Sequence, residues 1–309
     1  MRIVSLLPSA TEIACALGLR EELVGITHEC DYPPGIAREK TVVIESCLGP
    51  GGKDLPPGEI DARIRETLAR GEGVYRFKPG VLEELRPDLV VTQGLCDVCA
   101  VPREHLLETI RGLRPAPEVL SLDPTRLDEV FGDVLRLGRA AGRAGRAAEL
   151  AAELRARVEA VAARTRALPE SARPRVACLE WLDPLFSAGH WVPEMVELAG
   201  GRDALAVAGK PSERIAWEAV VAARPDVVLV MPCGYDAAKA ERELRLVSNR
   251  PGWDGLPAVR EKRVYFLDAN AHFSRPGPRL ADGLERLSRI LHPNLFTSPS
   301  RRFIPGSPQ

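Results

Sequence analysis

The chain has 309 residues, 45% apolar and 28% charged, with 42 Lys and Arg against 43 Asp and Glu for a net charge of −1. At about 100–200 residues per domain this length predicts two lobes, and the composition excludes a largely disordered chain. The charge balance lacks the basic excess of a dedicated nucleic-acid binder, and no apolar run approaches the roughly 18 residues of a membrane span.

Ile3 to Leu7 reads as a first strand, too short and too soon followed by Pro8 for a signal peptide. The expectation is a cytoplasmic chain, or an extracytoplasmic one if translation starts upstream of Met1. Seven cysteines, an odd number in a long chain, agree with a reducing compartment. A helix from Ser9 to Leu19 comes next, then strands at Leu23 to Thr27 and Thr41 to Ile44. Helices at Ile60 to Arg70 and Val81 to Leu85 precede a strand at Leu89 to Thr92. A helix at Arg103 to Leu113 and a strand at Glu118 to Leu122 close the first half. Strands alternating with helices predict a parallel sheet covered on both faces.

From Thr125 to Leu168 the strand signal vanishes. Leu127, Val130, Phe131, Val134 and Leu137 recur at helical spacing, as do Leu150, Leu154, Val158 and Val161. Gly138, Gly142 and Gly145 divide the stretch into two helices, the second about 40 Å long from Arg143 to Leu168. Alternation restarts with a strand at Val176 to Leu179. Helices at Val192 to Ala199 and Ile215 to Ala223, a strand at Val227 to Met231 and a helix at Ala237 to Leu246 follow. A strand at Val264 to Leu267 and a helix at Pro278 to Leu291 end the pattern, and the Pro- and Ser-rich tail from Pro293 reads as irregular. A weak repeat links the halves: Leu85-Arg86-Pro87-Asp88-Leu89-Val90-Val91 returns as Ala223-Arg224-Pro225-Asp226-Val227-Val228-Leu229. The predicted organisation is an α/β lobe at 1–124, a helical segment at 125–170, a second α/β lobe at 171–292 and a tail at 293–309.

In open parallel sheets ligands sit beyond the carboxyl ends of the strands. In the first lobe those loops carry His28, Cys30, Asp31 and Tyr32, then Cys47, then Gln93, Cys96 and Cys99. In the second they carry Glu180 and Trp181, then Cys233 and Tyr235, then His272, Phe273 and Arg275. Ser9 and Glu12 have capping-box spacing, and the same helix N-terminus could offer amides to an anion. Trp181, His190 and Trp191 either pack in the core or stack on a flat ligand. The cysteines have three readings: thiols lining a pocket, an Fe-S or Zn site built from Cys30, Cys47, Cys96 and Cys99, or redox chemistry at Cys96 and Cys99. Motifs of serine hydrolases, zinc peptidases and Walker-type nucleotide binders are absent from the sequence.

Ser5-Leu6-Leu7-Pro8-Ser9-Ala10-Thr11-Glu12, Leu17-Gly18, Val24-Gly25 and Asp31-Tyr32-Pro33 resemble the opening of the helical-backbone (class III) substrate-binding proteins of ABC importers, and of their BtuF-like cobalamin-binding branch in particular. Arg86-Pro87-Asp88-Leu89-Val90, Phe186-Ser187-Ala188-Gly189, Glu197-Leu198-Ala199-Gly200-Gly201 and Phe273 to Arg279 extend the resemblance over residues 2–292. It implies two Rossmann-like lobes with parallel central sheets, joined by a long rigid helix, and binding without chemistry. The ligand expected in the cleft is cobalamin, a related corrinoid or another metal-containing cofactor, and His28, His190 or a cysteine could give an axial ligand to its cobalt or iron. An ABC transporter is the implied partner, docked through an acidic residue on each lobe. Glu218 matches in the second lobe, whereas Gly80 stands at the first-lobe position with Glu83 and Glu84 nearby. Gln93 and His272 also depart from the family's pattern, standing where aromatic rings are expected.

Overall fold

The computed structural model describes residues 1–49, 51–94, 106 and 109–296. The first lobe runs β1 (Ile3–Ser5), α1 (Pro8–Ala16), β2 (Leu23–Ile26), α2 (Ile36–Glu39), β3 (Thr41–Val42), β4 (Ile44–Ser46), α3 (Pro57–Ala69), β5 (Tyr75–Phe77), α4 (Val81–Leu85), β6 (Leu89–Thr92) and β7 (Glu118–Ser121). Its sheet has the order β3-β2-β1-β6-β7, parallel throughout, while β4 and β5 form a separate antiparallel pair. Every residue of β1 and β6 is buried, as expected of central strands covered on both faces.

Two helices follow, α5 (Leu127–Ala140) and α6 (Ala144–Thr165). Gly142 turns the chain between them with φ 67°, and a Cβ on Gly138 would stand 2.2 Å from the Ala147 Cβ. Only glycine allows the two helices to close this tightly. At 22 residues α6 is about 33 Å long. It is shorter than expected because the last turn unwinds ahead of Pro169.

The second lobe runs β8 (Arg175–Leu182), β9 (Leu185–Ser187), α7 (Val192–Leu198), β10 (Arg202–Asp203), α8 (Trp217–Ala223), β11 (Val227–Val230), α9 (Ala237–Arg242), α10 (Arg245–Ser248), α11 (Pro257–Arg260), β12 (Val264–Phe266), α12 (Ala269–His272), α13 (Leu280–Leu291) and α14 (Pro293–Phe296). Its parallel order is β10-β8-β11-β12, with β9 antiparallel on β8. The helix expected over Ala237 to Leu246 is broken, and the tail expected to be irregular begins with a helical turn.

One hydrophobic cluster joins the lobes. It runs from Ile3 and Leu89 through Phe131, Leu150 and Leu154 to Val176, Met195 and Leu284. The lobes are therefore packed on a shared helical spine rather than hung on a flexible linker. Both sheets reverse strand order at their centre, between β1 and β6 and between β8 and β11, and ligand crevices form at such points.

Candidate functional site

On the first lobe, the loop after β2 carries His28 and Tyr32. His28 is half-buried, its ring centroid lies 5.6 Å from that of Tyr75, and its Nε2 is 3.2 Å from Glu29 Oε1. Its Nδ1 is buried without a hydrogen-bond partner. Tyr32 is exposed, with the Arg279 guanidinium 4.2 Å from its ring centre.

On the second lobe, Trp181 and Tyr235 meet edge to face at 5.6 Å. Trp181 is fixed by its indole N–H, which donates to the Asp183 carbonyl at 2.9 Å. Tyr235 is buried, Lys239 Nζ lies 3.9 Å from its ring centre, and its hydroxyl has no partner. Behind this ledge Glu180 accepts from Ser212 Oγ at 2.7 Å. Burial pushes the Glu180 carboxyl up, and the bonds from Ser212 and the Gly189 amide oppose it. Burial also lowers His190 and His272, keeping both imidazoles neutral near pH 7.

The lobes meet around these walls. A Cβ on Gly58 of the first lobe would stand 2.7 Å from Asp183 Oδ2 of the second. Also across the lobes, Arg279 grips Glu12 with Nε–Oε2 at 2.8 Å and Nη2–Oε1 at 2.6 Å, and Arg275 pairs with Asp31. Burial pushes the Glu12 carboxyl up, while the two guanidiniums pull it back.

Several expected site residues stand elsewhere. Ser9 is buried inside α1, whose N-cap is Leu7 with Pro8 as first helical residue, so the capping box does not form. Gly277 lies against the first turn of α1, where a Cβ placed on it would stand 3.5 Å from Glu12 Oε2 and 3.8 Å from Ser9 Cα. Cys30 is turned into the core beside Ile26 and Ile36, its sulfur 3.1 Å from Thr11 Oγ1 and 3.2 Å from Thr27 Oγ1. At 1% exposure Cys30 faces the core and takes no part in a ligand wall, and burial raises its thiol. Cys47 is half-buried, and among the described residues no three His, Cys, Asp or Glu side chains cluster as a metal site. Cys96 and Cys99 lie outside the described residues.

Trp191 and Phe273 belong to the shared core, and Trp191 Nε1 donates to the Phe273 carbonyl at 2.7 Å. Arg275 is an ion-pair residue instead of a free ligand anchor. Gln93, His190 and His272 remain half-buried, and Cys233 is exposed. Tyr75, Lys239, Ser212 and Arg279 were not anticipated. Only Arg279 carried a signal, as the last residue of the Phe273 to Arg279 stretch that extends the family resemblance.

A family model described as "Periplasmic binding protein" matches residues 81–271. An uncharacterised ABC transporter substrate-binding lipoprotein of Bacillus subtilis is 25% identical over 96% of this chain and 81% of its own. A cobalamin-binding protein of Halobacterium salinarum is 27% identical over 94% of this chain and 69% of its own. The apo structure of a periplasmic heme-binding protein from Roseiflexus superposes with TM-score 0.70 at 25% identity, covering 95% of this chain and 98% of that one. The cytoplasmic expectation is thereby corrected: proteins of this kind are lipoproteins or periplasmic, and so work outside the cytoplasm. A short first apolar run is a statement about one segment and was too little to set a compartment.

Proposed function

The chain belongs to the periplasmic binding protein family, whose members bind small molecules without chemistry, and from that premise we propose that its ligand is a flat metal chelate of the corrinoid or heme kind. The observation that carries this reading is the Trp181–Tyr235 edge-to-face pair at the sheet-order reversal of the second lobe, with the His28–Tyr75 pair on the first. The half-buried Trp181, backed by the buried Tyr235 ring, offers apolar area with little rotamer freedom, which suits a flat macrocycle. Unpartnered buried atoms, His28 Nδ1 and the Tyr235 hydroxyl, supply polar contacts that a ligand would complete. The names of the relatives, cobalamin-binding and heme-binding, support the same class. Delivery would be to an ABC transporter, with exposed Glu218 in the first turn of α8 as the second-lobe docking contact.

The test is titration of the full chain with hydroxocobalamin and, separately, hemin, followed by absorbance and by tryptophan fluorescence. A one-to-one complex with one of them, with a Kd on the order of micromolar or below, is the expected result. Unchanged spectra with both, together with metal retained by the apo protein, would move the argument to the cysteines.

A further inference from the structure

Arg275 and Arg279 lie on the segment that leaves α12 of the second lobe, and both side chains reach the first lobe. On the second-lobe side the segment is tied down at Phe273, whose carbonyl accepts from Trp191 Nε1 at 2.7 Å. It is tied again at Ala269, whose amide donates to the Tyr235 carbonyl at 3.1 Å. On the first-lobe side, Arg275 Nη2 donates to the Glu29 carbonyl at 3.0 Å and to Asp31 Oδ2 at 3.1 Å, while Nη1 binds Asp31 Oδ1. Arg275 is 9% exposed and Asp31 61% exposed, so a buried guanidinium holds a surface carboxylate together with a backbone carbonyl. A planar fork can satisfy both acceptors at once.

We propose that Arg275 is the positioning residue of the cleft. It holds the Glu29 carbonyl and the Asp31 carboxylate, and with them His28 and Tyr32 on either side, at a fixed place relative to the second-lobe ledge of Trp181 and Tyr235. This rests on the ligand reading above for its consequence in binding, though not for its consequence in the free protein. The spine and the shared core join the lobes at the back; Arg275 joins the two ligand walls themselves. The coupling is local because Cys30 and Thr27 already hold the base of the same loop through the Cys30 N–H, which donates to the Thr27 carbonyl at 3.2 Å. What is left for Arg275 to fix is the loop's outer half.

Hydrogen exchange of the ligand-free full chain tests this, with Arg275→Ala, Arg275→Lys and Asp31→Asn beside the parent. Exchange over residues 28–33 should rise by about tenfold in Arg275→Ala and by less in Asp31→Asn, which keeps the Glu29 contact. Arg275→Lys keeps the charge without the fork and should fall between the parent and Arg275→Ala. Asp31→Asn alters only an exposed side chain, so it reports even if Arg275→Ala fails to fold. Unchanged exchange at 28–33 in Asp31→Asn and Arg275→Lys overturns the proposal, as does a rise shared equally by β8 and β11.

Hydroxocobalamin and hemin are then titrated into the same variants. Affinity for whichever the parent binds should fall in the order of the exchange rates, and an unchanged affinity with a loosened loop also overturns the positioning role. A parent that binds neither probe defeats the ligand reading, and the exchange result alone then decides whether Arg275 sets the loop.

Discussion

Asp88 and Asp226 make the same contact in the two lobes. Asp88 Oδ2 accepts the Arg2 amide at 2.6 Å, and Asp226 Oδ2 accepts the Arg175 amide at 2.8 Å. Each Asp amide in turn donates to the carbonyl of that arginine at 2.8 Å. Each also follows a helix closed by an arginine at φ 44°, Arg86 or Arg224. The repeated Arg-Pro-Asp therefore ends a helix, reverses the chain and registers a central strand against its neighbour. Replacing Asp226 by Ala should cost about 1 kcal/mol, discounted for the partial exposure of the pair, and lower the urea midpoint. Burial would raise the Asp226 carboxyl, but its bonds to Arg175 outweigh that and hold it below the ordinary value. Its contribution is thus present above about pH 4, the unfolded value, and is lost as pH falls through the folded one. The stability gap between parent and variant should narrow in acid. A gap constant from pH 7 to pH 3 would contradict this assignment.

That repeat was readable because its parts are local: a helix end, a Pro and an apolar run. The parallel sheets were readable for a related reason, since strands buried on both faces are near-continuous apolar runs. The site was less so. Ser9 and Glu12 have the spacing of a cap, yet Glu12 is claimed by Arg279, 267 residues away. Cys30 and His28 stand two residues apart, and nothing in that spacing says that the thiol turns inward to Thr11 and Thr27. The β4–β5 pair and β9 were missed because three-residue strands with polar members carry too little alternation to register.

Asp133 sits on the buried face of α5 with Oδ2 unpartnered, while Arg136 bonds Oδ1 at 2.8 Å. Burial pushes its carboxyl up to about 6. A folded value above the unfolded one means that the folded state is favoured by protonation. Stability from this group is full below about pH 4 and is lost as pH rises through about 6. Asp133→Asn should therefore raise the melting temperature at pH 8, by an amount equivalent to about 1–2 kcal/mol, and leave it nearly unchanged at pH 4. Thermal unfolding at the two pH values decides it; an equal effect at both would mean that the charge is not the cause.

Gly189 is where the second-lobe wall is most sharply constrained. A Cβ there would stand 2.3 Å from the Ser212 amide nitrogen and 2.8 Å from the Lys210 carbonyl oxygen, and both are backbone. The next residue, His190, is at φ 52° and exchanges bonds with the same segment, its carbonyl accepting from Gly209 at 2.8 Å. Gly189→Ala should push residues 210–212 away and break the Ser212–Glu180 bond. The expected loss is about 2–4 kcal/mol, seen as a lower melting temperature, with Trp181 fluorescence shifted even in the folded fraction. A variant as stable as the parent would show that the 209–212 segment moves freely.

Tyr235 separates packing from ligand contact. Its ring is held between Trp181 and Lys239, whereas its buried hydroxyl bonds nothing. Burial pushes that hydroxyl up to about 12, so it stays a donor throughout the accessible pH range. Tyr235→Phe removes an orphaned polar group and should leave the ligand-free protein as stable as the parent, or up to about 1 kcal/mol more so. If the hydroxyl meets the ligand, the same change should weaken binding of hydroxocobalamin or hemin by about 5–30-fold. Tyr235→Ala should lower both stability and affinity, because the ledge itself collapses. Opposite signs for stability and affinity in Tyr235→Phe are what a site kept unsatisfied for a ligand requires. A loss of stability in that variant would mean that the hydroxyl serves the fold instead.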